Sequence, residues 1–258
     1  MRRGSWKIRI FIGLAIVAFA YIQRCSNKEE NPYTGRIQNI DMSTDQEIAI
    51  GLQSAPEVTH QFGGLYPDER LQSFVDQLGH KMVNSSIARE TPYKYEFHLL
   101  ADQQTINAFA LPGGQVFITY ALFSQLNEAQ LAGVLGHEIG HVIGRHSAER
   151  IADGNFWQTV TMGASVGADA GDIVAQIGQN TLLTNGREDE LESDELGVLL
   201  MLQAGYDPNE LITVMEILKA AAGPNRVPEF QSTHPDPENR IEKIKEAIAK
   251  YSNGKNLN

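Results

Sequence analysis

The chain has 258 residues, 42% of them hydrophobic and 21% charged, enough for one substantial core and too few for a second full domain. Its formal net charge is −11, and the cations Arg2, Arg3, Lys7, Arg9 and Arg24 all precede Cys25 with no acid among them, so the remainder carries −16. So acidic a body argues against nucleic acid as a partner, and a single cysteine rules out an internal disulfide.

From Ile8 to Ile22 the chain is almost wholly apolar after a basic start, the pattern of an export signal. Ala18-Phe19-Ala20 offers a small-x-small cleavage site, while Cys25 raises a lipoprotein reading that Arg24, directly before it, fits poorly. At about 15 residues the stretch is short for a membrane span, and an uncleaved anchor stays open. Positive charge ahead of it would keep the N-terminus inside and send the body outward, to a periplasm or the outer face of a membrane. The expected division is residues 1–24 as signal peptide or membrane anchor, 25–42 as a linker with Pro32 and Gly35, and 43–258 as a single catalytic domain.

Thr44 with Glu47 three residues on makes a capping box for a helix to about Gln61, and a second helix follows Pro67-Asp68 to about Asn84. His60 and His80 fall in these helices without a partner motif and read as ordinary surface or core histidines. Tyr93 to Leu100 alternates and is rich in strand formers, Ile106 to Ala110 reads as a second short strand and Gln115 to Thr119 as a third, the last two joined by the tight turn Leu111-Pro112-Gly113-Gly114. Such a hairpin is an ordinary structural element. It could also offer its edge to an extended peptide.

Asn127, with Gln130 as its third residue, caps a helix that carries Gly136-His137-Glu138-Ile139-Gly140-His141, an HExxH motif. Histidines four apart share one helix face, about 6 Å apart along the axis, and both can reach one ion. Zinc takes nitrogen ligands readily, and the intervening Glu138 then stands where it can take a proton from a water. Leu131, Leu135, Ile139 and Val142 form an apolar face, whereas the histidine face is shared with Gly133, Gly140 and Gly144, small residues that would leave room for metal and substrate. His146 is not expected among the ligands. The metzincin spacing needs a histidine at 147, which is Ser147, and in a helix running on through Arg150, His146 lies about 180° from His137.

From Asn155 to Thr184 the composition shifts toward Gly, Ala and polar residues, compatible with a flap or with a weak helical pair. Glu188 to Glu195 is strongly acidic, as a solvated helix start would be. Yet Glu190 and Asp194 align on the wheel with Gly197 and Met201, a core-facing stripe where ionised carboxylates need a partner such as a metal and its histidines. Gly205 ends that helix, Asp207-Pro208 starts another that Gly223 ends, and Asp236-Pro237 opens a last one to about Tyr251, after a rigid turn Ser232-Thr233-His234-Pro235.

With these residues in place the chain, from about Asp45 to Tyr251, resembles the membrane-associated zinc metallopeptidase family that includes HtpX, BepA, LoiP and the CaaX prenyl protease. The motifs that carry the resemblance are Asn107-Ala108-Phe109-Ala110-Leu111-Pro112-Gly113-Gly114, His137-Glu138-Ile139-Gly140-His141, Glu190-Leu191-Glu192-Ser193-Asp194, and Thr233-His234-Pro235 with Arg240. The resemblance implies a mainly helical α+β fold of the gluzincin type, with a small sheet beside the HExxH helix. It further implies one zinc ion per chain on His137, His141 and Glu190, with Glu138 as catalytic base and Asp194 outside the ligands, hydrogen-bonded to His137 or His141. The strand with Asn107, Ala108, Phe109, Gly113 and Gly114 would border the substrate cleft, and His234 and Arg240 would face the metal. Ser193 stands where the family usually has alanine. The expected function is a zinc-dependent endopeptidase of the cell envelope, acting on unfolded or misassembled proteins. The alternatives are a chaperone-like factor that holds clients with little cleavage, and a self-inhibited zymogen in which His234 takes the fourth zinc position.

Overall fold

The computed structural model describes residues 5–221, 234 and 239–252. Its first elements are α1 (Ser5–Ser26), β1 (Lys28–Glu30), β2 (Ile37–Asn39), α2 (Thr44–Gln61), α3 (Glu69–Asn84) and a 3-10 turn at Ile87–Glu90. There follow β3 (Glu96–Leu100), β4 (Ala108–Ala110), β5 (Gln115–Thr119), the short α4 (Tyr120–Phe123) and α5 (Glu128–Ile143). The remainder is helical: α6 (His146–Ala168), α7 (Gly171–Gln203), α8 (Asn209–Ala221) and α9 (Arg240–Ser252). The chain divides into two compact units, residues 1–43 with 146–186, and residues 44–145 with 187–258.

In the first unit the apolar run at the N-terminus lies within a longer helix than the sequence suggested, and Trp6–Ser26 is long and apolar enough to cross a membrane by length and composition. Residues 25–42, expected as a linker, contain an antiparallel hairpin in which Lys28 pairs with Asn39 and Glu30 with Ile37. Its turn is built by the Asn31 side chain, which accepts from the Tyr33 amide at 2.9 Å, and by Gly35 at a φ of 72°. Glu149 of α6 fastens the hairpin by accepting from Arg36 Nη2 (2.7 Å) and Gln38 Nε2 (3.0 Å). The stretch from Asn155 to Thr184 is a helical pair, the end of α6 and the start of α7.

The second unit is built on a three-stranded sheet of order β3-β5-β4, with β3 parallel and β4 antiparallel to the central β5. All five residues of β5 are buried. Phe97, Leu99, Val116 and Ile118 share one apolar face of the sheet and Phe117 lies on the other, and Leu131, Leu135 and Ile139 of α5 are buried with them in the core. β3 is flanked by an extended stretch, where Leu65 bridges Leu100 and the Tyr66 amide bonds the Leu99 carbonyl at 2.8 Å. β4 therefore forms the outer edge of the sheet among the described residues. The turn after it is pinned beneath α2. Gly113 has a φ of 80°, and a Cβ there would stand 2.4 Å from the Ile48 Cα, so only glycine fits both the conformation and the space.

The expected capping box opens α5 as read: Asn127 Oδ1 accepts from the Gln130 amide, and Gln130 Oε1 accepts from the Asn127 amide. Three expectations are corrected. The helix does not run on through Arg150: it stops at Gly144, Arg145 adopts a left-handed φ of 56°, and α6 begins at His146. Such a conformation costs roughly 1–2 kcal/mol in a non-glycine residue. Here it is held by buried Glu47, whose Oε1 accepts from Arg145 Nε at 2.9 Å while its Oε2 accepts from Tyr93 Oη at 3.2 Å. Secondly, the acidic run does not start a helix, because α7 is continuous from Gly171. Thirdly, the glycines of α5 do not leave room for substrate. A Cβ on Gly140 would meet the Ser193 carbonyl at 2.9 Å, and one on Gly197 would meet the His137 amide at 3.2 Å, so α5 and the ligand-bearing part of α7 meet backbone to backbone.

Gly205 closes α7 with a φ of 81°, and Asp207 Oδ1 caps α8 at the Asn209 amide, 2.9 Å away. His60 is exposed, and His80 pairs with Asp76 one turn away. Gly223, Ser232, Thr233, Pro235, Asp236 and Pro237, which the sequence placed at helix ends and in the turn around His234, lie outside the described residues.

Candidate metal centre

Because α5 and α7 touch through glycines, the side chains they carry at the same level converge in a buried cluster. His137 and His141 of α5 point their Nε2 atoms at each other, 3.1 Å apart. Glu190 of α7 reaches both, with Oε2 3.3 Å from His137 Nε2 and Oε1 3.3 Å from His141 Nε2. His234 closes the group, its Nδ1 3.0 Å from Glu190 Oε1 and 3.4 Å from His137 Nε2. All four residues are buried, and their ligand-type atoms lie within 4.8 Å of one another.

The spacing can be tested against a metal. Ligands about 2.0–2.1 Å from a tetrahedral zinc stand roughly 3.4 Å from one another, and the separations of 3.1 Å between the two Nε2 atoms and 3.3 Å from each to the Glu190 carboxylate come close to that figure. Imidazole nitrogens with one carboxylate are a donor set that suits zinc. Beside the group, both oxygens of Glu138 are fully buried without a hydrogen-bond partner, and His234 Nε2 stands 3.5 Å from Oε1. Leaving a buried carboxylate unbonded is costly, so this position calls for a water and a cation beside it. The residues fit a zinc ion.

The next layer fixes the tautomers. Asp194 Oδ1 stands 2.9 Å from His137 Nδ1, so that Nδ1–H donates and Nε2 turns its lone pair to the centre. The sequence left His137 and His141 open for this bond, and the structure places it on His137. Arg240, expected to face the metal, gives its fork to Asp194 instead, Nε to Oδ2 at 2.7 Å and Nη2 to Oδ1 at 2.9 Å, with Nη2 also 3.2 Å from Glu190 Oε2. Burial works against the charge on His137, but hydrogen bonds to Asp194 and Glu190 outweigh it and push the imidazole up to about 10. Burial likewise opposes ionisation of Glu190, yet the surrounding His234 and His141 hold its carboxyl well below the usual range. Burial raises the Glu138 carboxyl, only partly offset by His234 and His137.

Of the residues assigned to the cleft border, the structure brings Ala108 to this group, with its carbonyl 3.1 Å from His234 Nε2. Asn107 is buried and tied to β5, its carbonyl accepting from the Thr119 amide at 3.0 Å. Phe109 lies between the rings of Phe62 and Phe117, at 5.4 and 5.2 Å. Gly113 and Gly114 sit at the turn, facing Ile48 and Lys94. His146 is buried but is not one of the four converging side chains among the described residues. Sequence reasoning missed the Glu47–Arg145–Tyr93 cluster, because Glu47 was spent on a helix cap.

The family described as Peptidase family M48 matches residues 69–248. The chain belongs to this family. It is thus a zinc metalloendopeptidase of mainly helical α+β fold, with the gluzincin arrangement of an HExxH helix beside a small sheet. The chain is 32% identical to the mitochondrial metalloendopeptidase OMA1 of Schizosaccharomyces pombe over 245 residues, covering 90% of this chain and 70% of the relative. It is 30% identical to the beta-barrel assembly-enhancing protease of Escherichia coli over 248 residues, covering 89% of this chain and 48% of the relative. It therefore spans about half the length of that relative. The OMA1 of Saccharomyces cerevisiae is 26% identical over 264 residues, which cover 93% of this chain and 73% of the relative.

Proposed function

We propose that the chain holds one zinc ion through His137, His141 and Glu190 and cleaves extended segments of misfolded or misassembled cell-envelope proteins, with α1 as its membrane anchor. The observation that carries this reading is the convergence of the His137 and His141 Nε2 atoms and the Glu190 carboxylate, 3.1–3.3 Å apart, beside a Glu138 carboxylate without a hydrogen-bond partner. When bound, zinc supplies a Lewis acid for the scissile carbonyl and for the attacking water. Glu138 takes the proton that the water loses as its oxygen bonds the carbonyl carbon, and hands it to the amine as the C–N bond breaks. Burial raises the Glu138 carboxyl, which suits a group that must give the proton back.

The edge of β4 aligns the substrate. An extended peptide pairing there is read through its backbone, which favours unfolded chains over folded ones with few free edges. The relatives named for metalloendopeptidase activity and for beta-barrel assembly support an envelope quality-control role. Degradation of casein by the purified chain, stopped by a chelator and restored by zinc, tests the reading. Casein that is held but never cut would favour the chaperone-like alternative.

Asp194 and Arg240 act from behind the ligands. Asp194 orients His137, and Arg240 steadies Asp194 and Glu190, which makes it a positioning residue. Asp194→Asn is expected to lower zinc affinity or turnover by roughly 10- to 100-fold, the usual effect of losing such a partner. Zinc titration against a competing chelator measures the first and initial rates the second. Unchanged values for both would remove Asp194 from the mechanism.

His234 joins the two halves of the site, Nδ1 at the ligand group and Nε2 at the Ala108 carbonyl of the edge strand. That favours the self-inhibited reading, in which a substrate backbone must displace the imidazole from Ala108. His234→Ala is then expected to keep its zinc and to lower KM for casein. A fall in kcat at unchanged KM would return His234 to the role of oxyanion partner.

A further inference from the structure

The first unit carries apolar surface that a water-soluble helical pair does not need. On α1, Ile8, Phe11, Ile12, Leu14, Phe19 and Ile22 are all exposed, and at 100° per residue they cover an arc of about 160°. That is broader than the seam one partner helix covers, so a second copy of the chain would leave much of it in water, whereas a lipid bilayer covers all of it.

The opposite side of α1 is occupied by α6, running antiparallel to it from Arg24 back to Arg9. Arg24 pairs with the buried Asp153 at one end, and Arg9 Nη2 meets Asp169 Oδ1 at 2.7 Å at the other. Between these two rungs Tyr21 meets Phe156 edge-on at 5.2 Å. Gly13 comes so close to Gly163 and Gly167 that a Cβ on it would stand 2.5 Å from the Gly163 carbonyl oxygen. α6 in turn takes α7 in close contact, where a Cβ on Gly178 would lie 2.9 Å from the Trp157 ring. Small residues at helix contacts are how helices associate in lipid, where apolar burial gives no drive.

Charge tells the same depth on all three helices. No charged residue lies between Arg9 and Arg24, between Asp153 and Asp169, or between Asp172 and Arg187, which leaves uncharged stretches of 14, 15 and 14 residues. The rungs put the first two in register. Each stretch spans about 21 Å, short of a hydrocarbon core of about 30 Å, a gap that arginines close by reaching outward and the bilayer by thinning locally.

We propose that α6 and the first part of α7, up to Gly186, form a hairpin that lies in the bilayer against α1, so that the chain is embedded through three helices. The proposal rests on the reading of α1 as a retained anchor. Exposed Gln158, Gln176 and Gln179 keep the hairpin from entering lipid alone, and its glycine-lined contacts with α1 bring it in.

The test uses the full chain with Cys25→Ser, reconstituted into phosphatidylcholine–phosphatidylglycerol vesicles. Single cysteines are introduced by Leu14→Cys, Met162→Cys, Ile177→Cys and, as a water-facing control, Gln77→Cys, and a membrane-impermeant maleimide is applied. Leu14, Met162 and Ile177 are each more than half exposed, at 64%, 53% and 51%, so shielding reports lipid. The expected result is loss of labelling at all three in vesicles, its return in mild detergent, and labelling of Gln77→Cys throughout. Labelling of Met162→Cys and Ile177→Cys with Leu14→Cys protected would overturn the hairpin and leave α1 as a lone anchor. Labelling of Leu14→Cys in vesicles would remove the anchor and the hairpin together, and protection of Met162→Cys that persists in detergent would assign that face to protein.

Discussion

Glu138→Gln should retain its fold and its zinc and lose turnover of casein by about 10²–10⁴-fold, the range that a positioned acid–base group contributes, or about 3–5 kcal/mol of transition-state stabilisation. The substitution changes little in volume and removes only the capacity to take a proton. In the structure neither Glu138 oxygen is used to hold another protein group in place, so no packing or hydrogen-bond network among the described residues depends on the charge. Its burial is complete, which makes the neutral amide easier to accommodate than the carboxylate it replaces. The variant should therefore be as stable as the parent or more so, an outcome that separates catalysis from folding. Comparable turnover in parent and variant, with zinc bound in both, would refute the assignment of the base.

Glu190→Ala is expected to do the reverse, losing metal first. Loss of an outer hydrogen-bond partner weakens a metal site by roughly 10- to 100-fold, and removal of a direct ligand should exceed that, so the protein should purify with far less than one zinc per chain. Glu190 also contacts His137, His141, His234 and Arg240, all of them buried. Removing one partner of a buried ion pair typically costs about 3–5 kcal/mol. Metal analysis of the purified variant decides the matter, with His146→Ala as the parallel sample that keeps its zinc. Full zinc content in Glu190→Ala would dismiss the ligand set.

The candidate site was readable because its chemistry depends on periodicity. HExxH fixes two nitrogens on one helix face, and the wheel separated Glu190 and Asp194 from Glu188 and Glu192 although all four stand in one acidic run. The helix starts at Thr44, Glu69 and Glu128 were legible at Thr44, Pro67-Asp68 and Asn127, and β3 in its alternation. What stayed hidden needed the third dimension. Arg145 breaks the HExxH helix only because Glu47, nearly a hundred residues earlier, waits to take its guanidinium, and no local signal in Arg145-His146-Ser147-Ala148 marks that stop. The glycines on α5 were legible as missing bulk, but what fills the gap, the main chain of α7, could not be told from an open cleft. Ala108 gained its place by a carbonyl, which no side-chain pattern announces.

The backbone contact between α5 and α7 sets how much error the centre tolerates. Side chains that space two helices act as soft springs, because a rotamer change or a bent neighbour absorbs a misfit. Two backbones in contact through Gly140 and Gly197 rest on the steep wall of repulsion, which yields only a few tenths of an ångström. The distance from the histidine pair to Glu190 is thus gauged by the main chain, and it is insulated from drift elsewhere in the core. Exchanges such as leucine for methionine at Leu131 or Leu135 can repack without moving a ligand, whereas one methyl group at Gly140 shifts every edge of the group at once.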